Sequence, residues 1–136
     1  MRWIVLLAAL AFTAAAVAAD KPCTKADSAN AQKSIDRVMT WPQLQKAWQD
    51  YRQCDSGDVG DTYTDALLRL AVDWKDVNQF ADAMKDPAFK QFVFAHLASP
   101  AAKDDRQAVY SRAKANCPSG LDAFCTELAE ATKPVK

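Results

Sequence analysis

Apolar residues recur along this chain at steps of three and four, and nowhere do they alternate over a length that suits a strand. Trp41, Leu44, Trp48 and Tyr51 make one stripe, and Tyr63, Leu67, Leu70 and Trp74 make a second. Ala31, Ile35 and Val38 offer a row of smaller residues able to receive the rings of the first stripe. Val77, Phe80, Ala81 and Met84 continue beyond a break expected near Asp76, and Phe89, Phe92, Val93, His96 and Leu97 share a further face. Ala108, Val109 and Ala113 form a weaker face, and Leu121, Phe124, Cys125 and Leu128 a final one. The pattern predicts an all-α fold, a compact bundle of five to seven short helices arranged as helical hairpins.

Turn-forming residues fall between these stripes. The chain has only three glycines, and its prolines stand where helices should begin. Thr40-Trp41-Pro42-Gln43 reads as a capping box, while Asp86-Pro87 and Ser99-Pro100 each place a capping side chain before a proline. Pro118-Ser119-Gly120 breaks the chain before the last helix. Residues 24–39 and 41–53 then read as two helices joined by a very short turn, hence antiparallel, with their open ends side by side.

The segment CDSGDVGDTYTDALL, residues 54–68, carries four aspartates and two glycines and invites comparison with a calcium loop. Counted from Asp55, the third, fifth and twelfth positions are Gly57, Val59 and Ala66, so three of the required oxygen ligands are missing. The expectation is instead an acidic loop that caps a helix at Asp61 or Thr62, with Thr62 and Asp65 as a short-armed capping box.

Composition changes the picture chiefly at the N-terminus. MRWIVLLAALAFTAAAVAAD has one early cation, an apolar run and small residues suited to cleavage. It predicts a cleaved secretory signal peptide over 1–19 and a single helical domain over 20–136, exported to the periplasm or beyond. No Cys follows the small residues directly, so no lipid anchor is expected, and no membrane anchor remains after cleavage. The mature chain would carry 16 cations against 17 acids, a balance with no electrostatic footprint for nucleic acid or anionic lipid.

In an oxidising compartment the four cysteines, Cys23, Cys54, Cys117 and Cys125, predict two disulfides. Three pairings are open to four cysteines. The hairpin reading favours 23–54, which closes the open end of the first two helices, and leaves 117–125. With no Cys-x-x-Cys and no local cationic cluster, the bonds read as staples rather than a redox pair.

Candidate chemistry is sparse. His96 is the single histidine, on a helix rich in aromatics, and reads as a half-buried side chain with one hydrogen bond. No serine carries a strained glycine elbow, so a Ser-His-Asp hydrolase has no marked nucleophile. Zinc would need acids from unrelated positions, and phosphate-cradling glycine loops are missing. Haem is left only a non-covalent pairing of His96 with Met39 or Met84. The sequence therefore predicts no enzyme, no catalytic residue, no metal ligand and no cofactor.

DPAFKQFVFAHL, residues 86–97, followed by ANCPSGLDAFC, residues 115–125, resembles a recurring pattern in small exported all-α proteobacterial proteins of unassigned activity. More loosely, a short exported helical chain with disulfides is similar to periplasmic immunity proteins that neutralise cell-wall-targeting toxins. That resemblance implies a protein-binding module, an immunity protein or inhibitor, whose partner is another protein. The acidic loop with Asp55, Asp58 and Asp61 is the expected contact surface. A periplasmic stress or assembly chaperone is the alternative.

Overall fold

Thr24 opens the first helix as a capping residue should. In the computed structural model, which describes residues 21–134, its hydroxyl accepts from the Asp27 N–H at 3.0 Å. The Asp27 carboxylate in turn accepts from the Thr24 hydroxyl at 2.8 Å and the Thr24 N–H at 3.2 Å. These bonds to the ionised form, the hydroxyl first, hold the Asp27 carboxyl below its usual range. The expected signal peptide, residues 1–19, lies outside the described residues.

Helix α1 runs Lys25–Ile35 and α2 runs Trp41–Tyr51, so both stop short of the expected 39 and 53. After Ile35 the chain tightens, with Arg37 N–H on Ser34 O and Val38 N–H on Ile35 O, which still leaves Val38 buried. The Thr40 hydroxyl accepts from Gln43 N–H at 3.4 Å, but Gln43 Oε1 reaches back to Met39 N–H at 2.8 Å rather than to Thr40. The box therefore closes one residue early, around the turn itself. Beyond α2 a 3-10 turn, Arg52–Cys54, carries Cys54 back to Cys23, where the predicted bond forms with Cα atoms 4.9 Å apart. Cys117 and Cys125 form the second predicted bond.

The next element departs from expectation. Helix α3 is Gly57–Asp73, so it begins at Gly57 and not at Asp61 or Thr62. Gly57 enters it at φ +52°, a left-handed geometry that glycine adopts without strain. Asp58 then lies in the first turn, where negative charge meets the positive end of the helix. Thr62 is inside the helix and donates to Asp58 O at 2.7 Å, so no capping box forms with Asp65. The helix ends at Trp74, at φ +59°, an unfavourable conformation for a bulky residue. Its indole N–H donates to Asn116 O at 3.0 Å, which ties that end to the segment after α6.

Helix α4, Val77–Ala83, precedes α5, Pro87–Leu97, which is capped by Asp86 through the N–H groups of Ala88 and Phe89. Ser99-Pro100 opens a 3-10 turn, Pro100–Ala102, that feeds α6, Lys103–Ala115. Contrary to the sequence reading, Ser99 makes no side-chain cap. Proline at the first position needs no acceptor, and Ala102 N–H is met by Ser99 O at 3.1 Å. Helix α7, Asp122–Thr132, follows the Pro118-Ser119-Gly120 break. Seven helices and two 3-10 turns, with no strand among the described residues, make the expected all-α bundle.

Helix α3 lies at the centre, packed against α1, α2, α5 and α6, while α6 and α7 form a second hairpin that rests on α5 through α7. Aromatic rings lock these layers. Trp41 stacks on Phe80 at 3.6 Å between centroids, and Phe80 meets Phe124 edge-on at 5.0 Å, joining α2, α4 and α7. Trp48 lies beside Phe89 and Phe92, and Tyr63 meets Phe92 edge-on at 5.1 Å.

The 31-residue separation of Cys23 and Cys54 makes their bond the stronger constraint on the unfolded chain, worth ~3–4 kcal/mol against ~2.5 kcal/mol for the 8-residue separation of Cys117 and Cys125. Replacing Cys23 and Cys54 together by serine should therefore lower unfolding free energy in urea by about 1 kcal/mol more than the same change at Cys117 and Cys125. Equal losses would contradict this ranking.

Candidate functional site

The residue after Cys54 connects the staple to the one histidine. Asp55 is held between the 3-10 turn and the start of α3, and its carboxylate oxygens lie 3.1 and 3.2 Å from Nε2 of His96. The other ring nitrogen, Nδ1, lies 2.7 Å from the Thr64 hydroxyl, which also lies 3.0 Å from Gly60 O. Phe92 meets the imidazole at 4.5 Å in a T-shaped contact, and the Tyr63 ring lies at 6.3 Å. The His96 side chain is left only 11% exposed. The sequence anticipated a half-buried histidine with one partner, and the fold gives it two.

The hydrogen count at this cluster is informative. Thr64 has one hydroxyl proton and two acceptors in reach. A ring protonated on both nitrogens donates to Asp55 and to the Thr64 oxygen, freeing the hydroxyl for Gly60 O. A ring protonated on one nitrogen must give up one of these three bonds. The order hydroxyl, imidazole, carboxylate is that of a hydrolytic triad. Thr64 is only 4% exposed, however, and its hydroxyl also lies within hydrogen-bond distance of Gly60 O in its own helix, the bonding of a structural threonine. The cluster acts as a clamp that fixes the C-terminal half of α5 on the first turns of α3.

A cavity of about 330 Å³ opens beside this clamp, walled by Asp55, Gly57, Gly60, Asp61, Thr64 and His96. Ser99, at the same wall, has a buried hydroxyl oxygen with no hydrogen-bond partner among the described residues. Both nitrogens of His96 are engaged, so neither is free for iron, while Met39 is exposed at the α1–α2 turn and Met84 is buried after α4. Among the described residues no three His, Cys, Asp or Glu side chains converge on a point suited to a metal. No helix among them is long and apolar enough to cross a membrane.

The expected acidic loop is not one loop. Asp55 precedes α3 and turns onto His96, whereas Asp58 and Asp61 lie within the helix and point their charge outward. The correction follows from the earlier start of α3. Asp58, Asp61 and Asp65, at steps of three and four, form one exposed carboxylate row. Asp105 of α6 adds to it across a groove of about 490 Å³ lined by Asp65, Leu68, Arg69, Val72, Asp73 and Asp105. Arg69 lines the same groove but its guanidinium donates to Val38 O at 3.0 Å, and Asp73 pairs with Lys75 at 3.1 Å. Among the described residues no lysine or arginine forms an ion pair with Asp58, Asp61, Asp65 or Asp105. Sequence reasoning placed Asp65 in a cap. The surface it shares with Asp105 arises only because α6 packs on α3.

Two outcomes follow. His96→Ala removes two polar contacts and a packed ring, and should cost about 2 kcal/mol in denaturant unfolding. Tyr63 is fully buried, with its hydroxyl donating to Ala47 O at 3.0 Å. Burial first, then the charges of Asp55 and Asp50, push its phenol well up. A raised folded pKa gives stability that is complete below the ordinary phenol range, near pH ~10, and is lost as pH rises through the folded value. Tyr63→Phe should cost about 1 kcal/mol near neutrality yet flatten the alkaline fall in Tm above about pH 10. Parallel alkaline curves for the two proteins would remove Tyr63 as its source.

Comparison with protein-family models, with curated proteins and with solved structures found no match for this chain.

Proposed function

We propose that this chain is an exported protein-binding module, of the immunity-protein or inhibitor kind, that holds a basic partner protein through the carboxylate row of α3. The observation that carries this reading is the row itself: Asp58, Asp61 and Asp65 project from one exposed helix face and form no ion pair among the described residues. Carboxylates left unpaired on a rigid element cost little in water and are ready to meet lysines and arginines. Rigidity comes from the two disulfides and from the His96 clamp at the start of the same helix. The secretory character of residues 1–19 and the two disulfides support export to an oxidising compartment. The protein acts by occupying its partner rather than by chemistry of its own.

Immobilised oxidised protein, residues 20–136, should retain one stoichiometric partner from periplasmic or secreted extract. Retention should weaken with salt, and Asp58→Lys with Asp61→Lys and Asp65→Lys should reduce affinity at least about tenfold, with a modest loss of Tm from Asp58 in the first turn of α3 and none from the other two. Retention that ignores all three reversals would move the contact elsewhere on the molecule. Numerous weak clients held only at acid pH would identify a chaperone instead.

A further inference from the structure

A groove between α1 and α2 has the opposite character. It is an open depression of about 460 Å³, lined by Asn30, Lys33, Ser34 and Arg37 on one side and by Gln43, Lys46 and Tyr51 on the other, with Val38 and Ala47 also lining it. The spacing explains the convergence. Asn30, Lys33, Ser34 and Arg37 sit at i, i+3, i+4 and i+7 along α1 and its last turn, so they form one stripe. Gln43, Lys46 and Ala47 make the matching stripe on α2. The Cys23–Cys54 bond and the short turn at 36–40 hold the two stripes face to face.

The chemistry of the lining is dominated by donors. Lys33 and Arg37 form no ion pair with any carboxylate among the described residues, whereas Lys46 is paired with Asp50 at 2.5 Å. Gln43 spends its carbonyl oxygen on Met39 N–H, which leaves its NH2 as the uncommitted end. The backbone of the two apolar lining residues is fixed by other elements: Tyr63 donates to Ala47 O at 3.0 Å and Arg69 donates to Val38 O at 3.0 Å. The half-buried Tyr51 closes one side with an aromatic ring. A volume of several hundred Å³, two cations without an ion pair among the described residues, an amide donor, a hydroxyl at Ser34 and a ring suit a small hydroxylated oxyanion.

We propose that this groove binds an acidic sugar, with Lys33 and Arg37 on its oxyanion and Tyr51 against its ring. The oxyanion chemistry is common to a carboxylate and a phosphate. This site is separate from the carboxylate row of α3 and stands or falls without it.

Titration of the 15N-labelled oxidised protein at low ionic strength with glucuronate, glucose 6-phosphate, neutral glucose and inorganic phosphate tests the assignment. The expected result is saturable shifts of amides along α1 and α2 with at least one of the two acidic sugars and none with glucose. A response to glucuronate alone identifies a carboxylate ligand, and to glucose 6-phosphate alone a phosphate ester. Lys33→Gln and Arg37→Gln, both exposed and so compatible with folding, should each weaken binding about tenfold, one charge-assisted hydrogen bond being worth that much. Lys103→Gln on α6 should leave it unchanged. Silence towards both acidic sugars overturns the proposal, as does affinity unaltered by either groove variant. Inorganic phosphate binding as tightly as glucose 6-phosphate, with no response to glucuronate, also overturns it, because the ring would then contribute nothing.

Discussion

The covalent bond between Cys23 and Cys54 fixes more than the hairpin it closes. By pinning the residue before α1 to the end of the turn after α2, it sets the start of the next segment. Asp55 follows directly, and its carboxylate meets His96 at 3.1 Å from a position next to the fixed Cys54. With Asp55 placed, Gly57 turns the chain into α3, and the helix that contacts four others is launched in one direction. An entropic constraint on the unfolded chain thus becomes a geometric one on the folded chain. The short helices need this. Segments of about 11 residues are marginal alone and gain stability mainly from the faces they bury.

Helix α3 shows how one element serves several purposes around its circumference. Its buried side supplies Val59, Tyr63, Ala66, Leu67 and Ala71 to the core. A neighbouring edge presents Thr64 to the imidazole, and the outer edge carries Asp58, Asp61 and Asp65. At 3.6 residues per turn these sets separate without conflict. The polar edge and the buried edge are linked at Tyr63, whose hydroxyl reaches Ala47 O while its ring lies near His96. One side chain on α3 thus joins α2 of the first hairpin to α5.

Much of this was legible in the sequence, for a simple physical reason. Apolar spacing reports what must leave water, and Ile35, Trp41, Leu44, Trp48, Tyr63, Leu67, Phe80, Phe89, Val93, Leu97 and Leu128 all lie buried as their stripes required. The disulfide pairing followed from the same hairpin. Helix starts were less legible where capping signals competed. Asp55, Asp58, Asp61 and Thr62 can all cap, and the earliest workable start won because Asp58 gains from the helix dipole once Gly57 has made the turn. The His96 clamp was hidden for a different reason. Asp55, Thr64 and His96 are brought together by the packing of α5 on α3, across separations of 41 and 32 residues that no local pattern encodes.

The near balance of charge along the chain conceals an uneven distribution in space. Among the described residues, Lys33 and Arg37 stand on the first hairpin with no carboxylate ion-pair partner, while Asp58, Asp61, Asp65 and Asp105 stand on α3 and α6 with no cationic one. Surface ion pairs between such groups would contribute little to stability, so keeping them apart costs the fold almost nothing. What separation does provide is local field: charges left without an ion-pair partner do not cancel at contact. A chain whose sum is close to zero can therefore offer one face to cations and another to anions. Composition alone, which reports only the sum, would have excluded both.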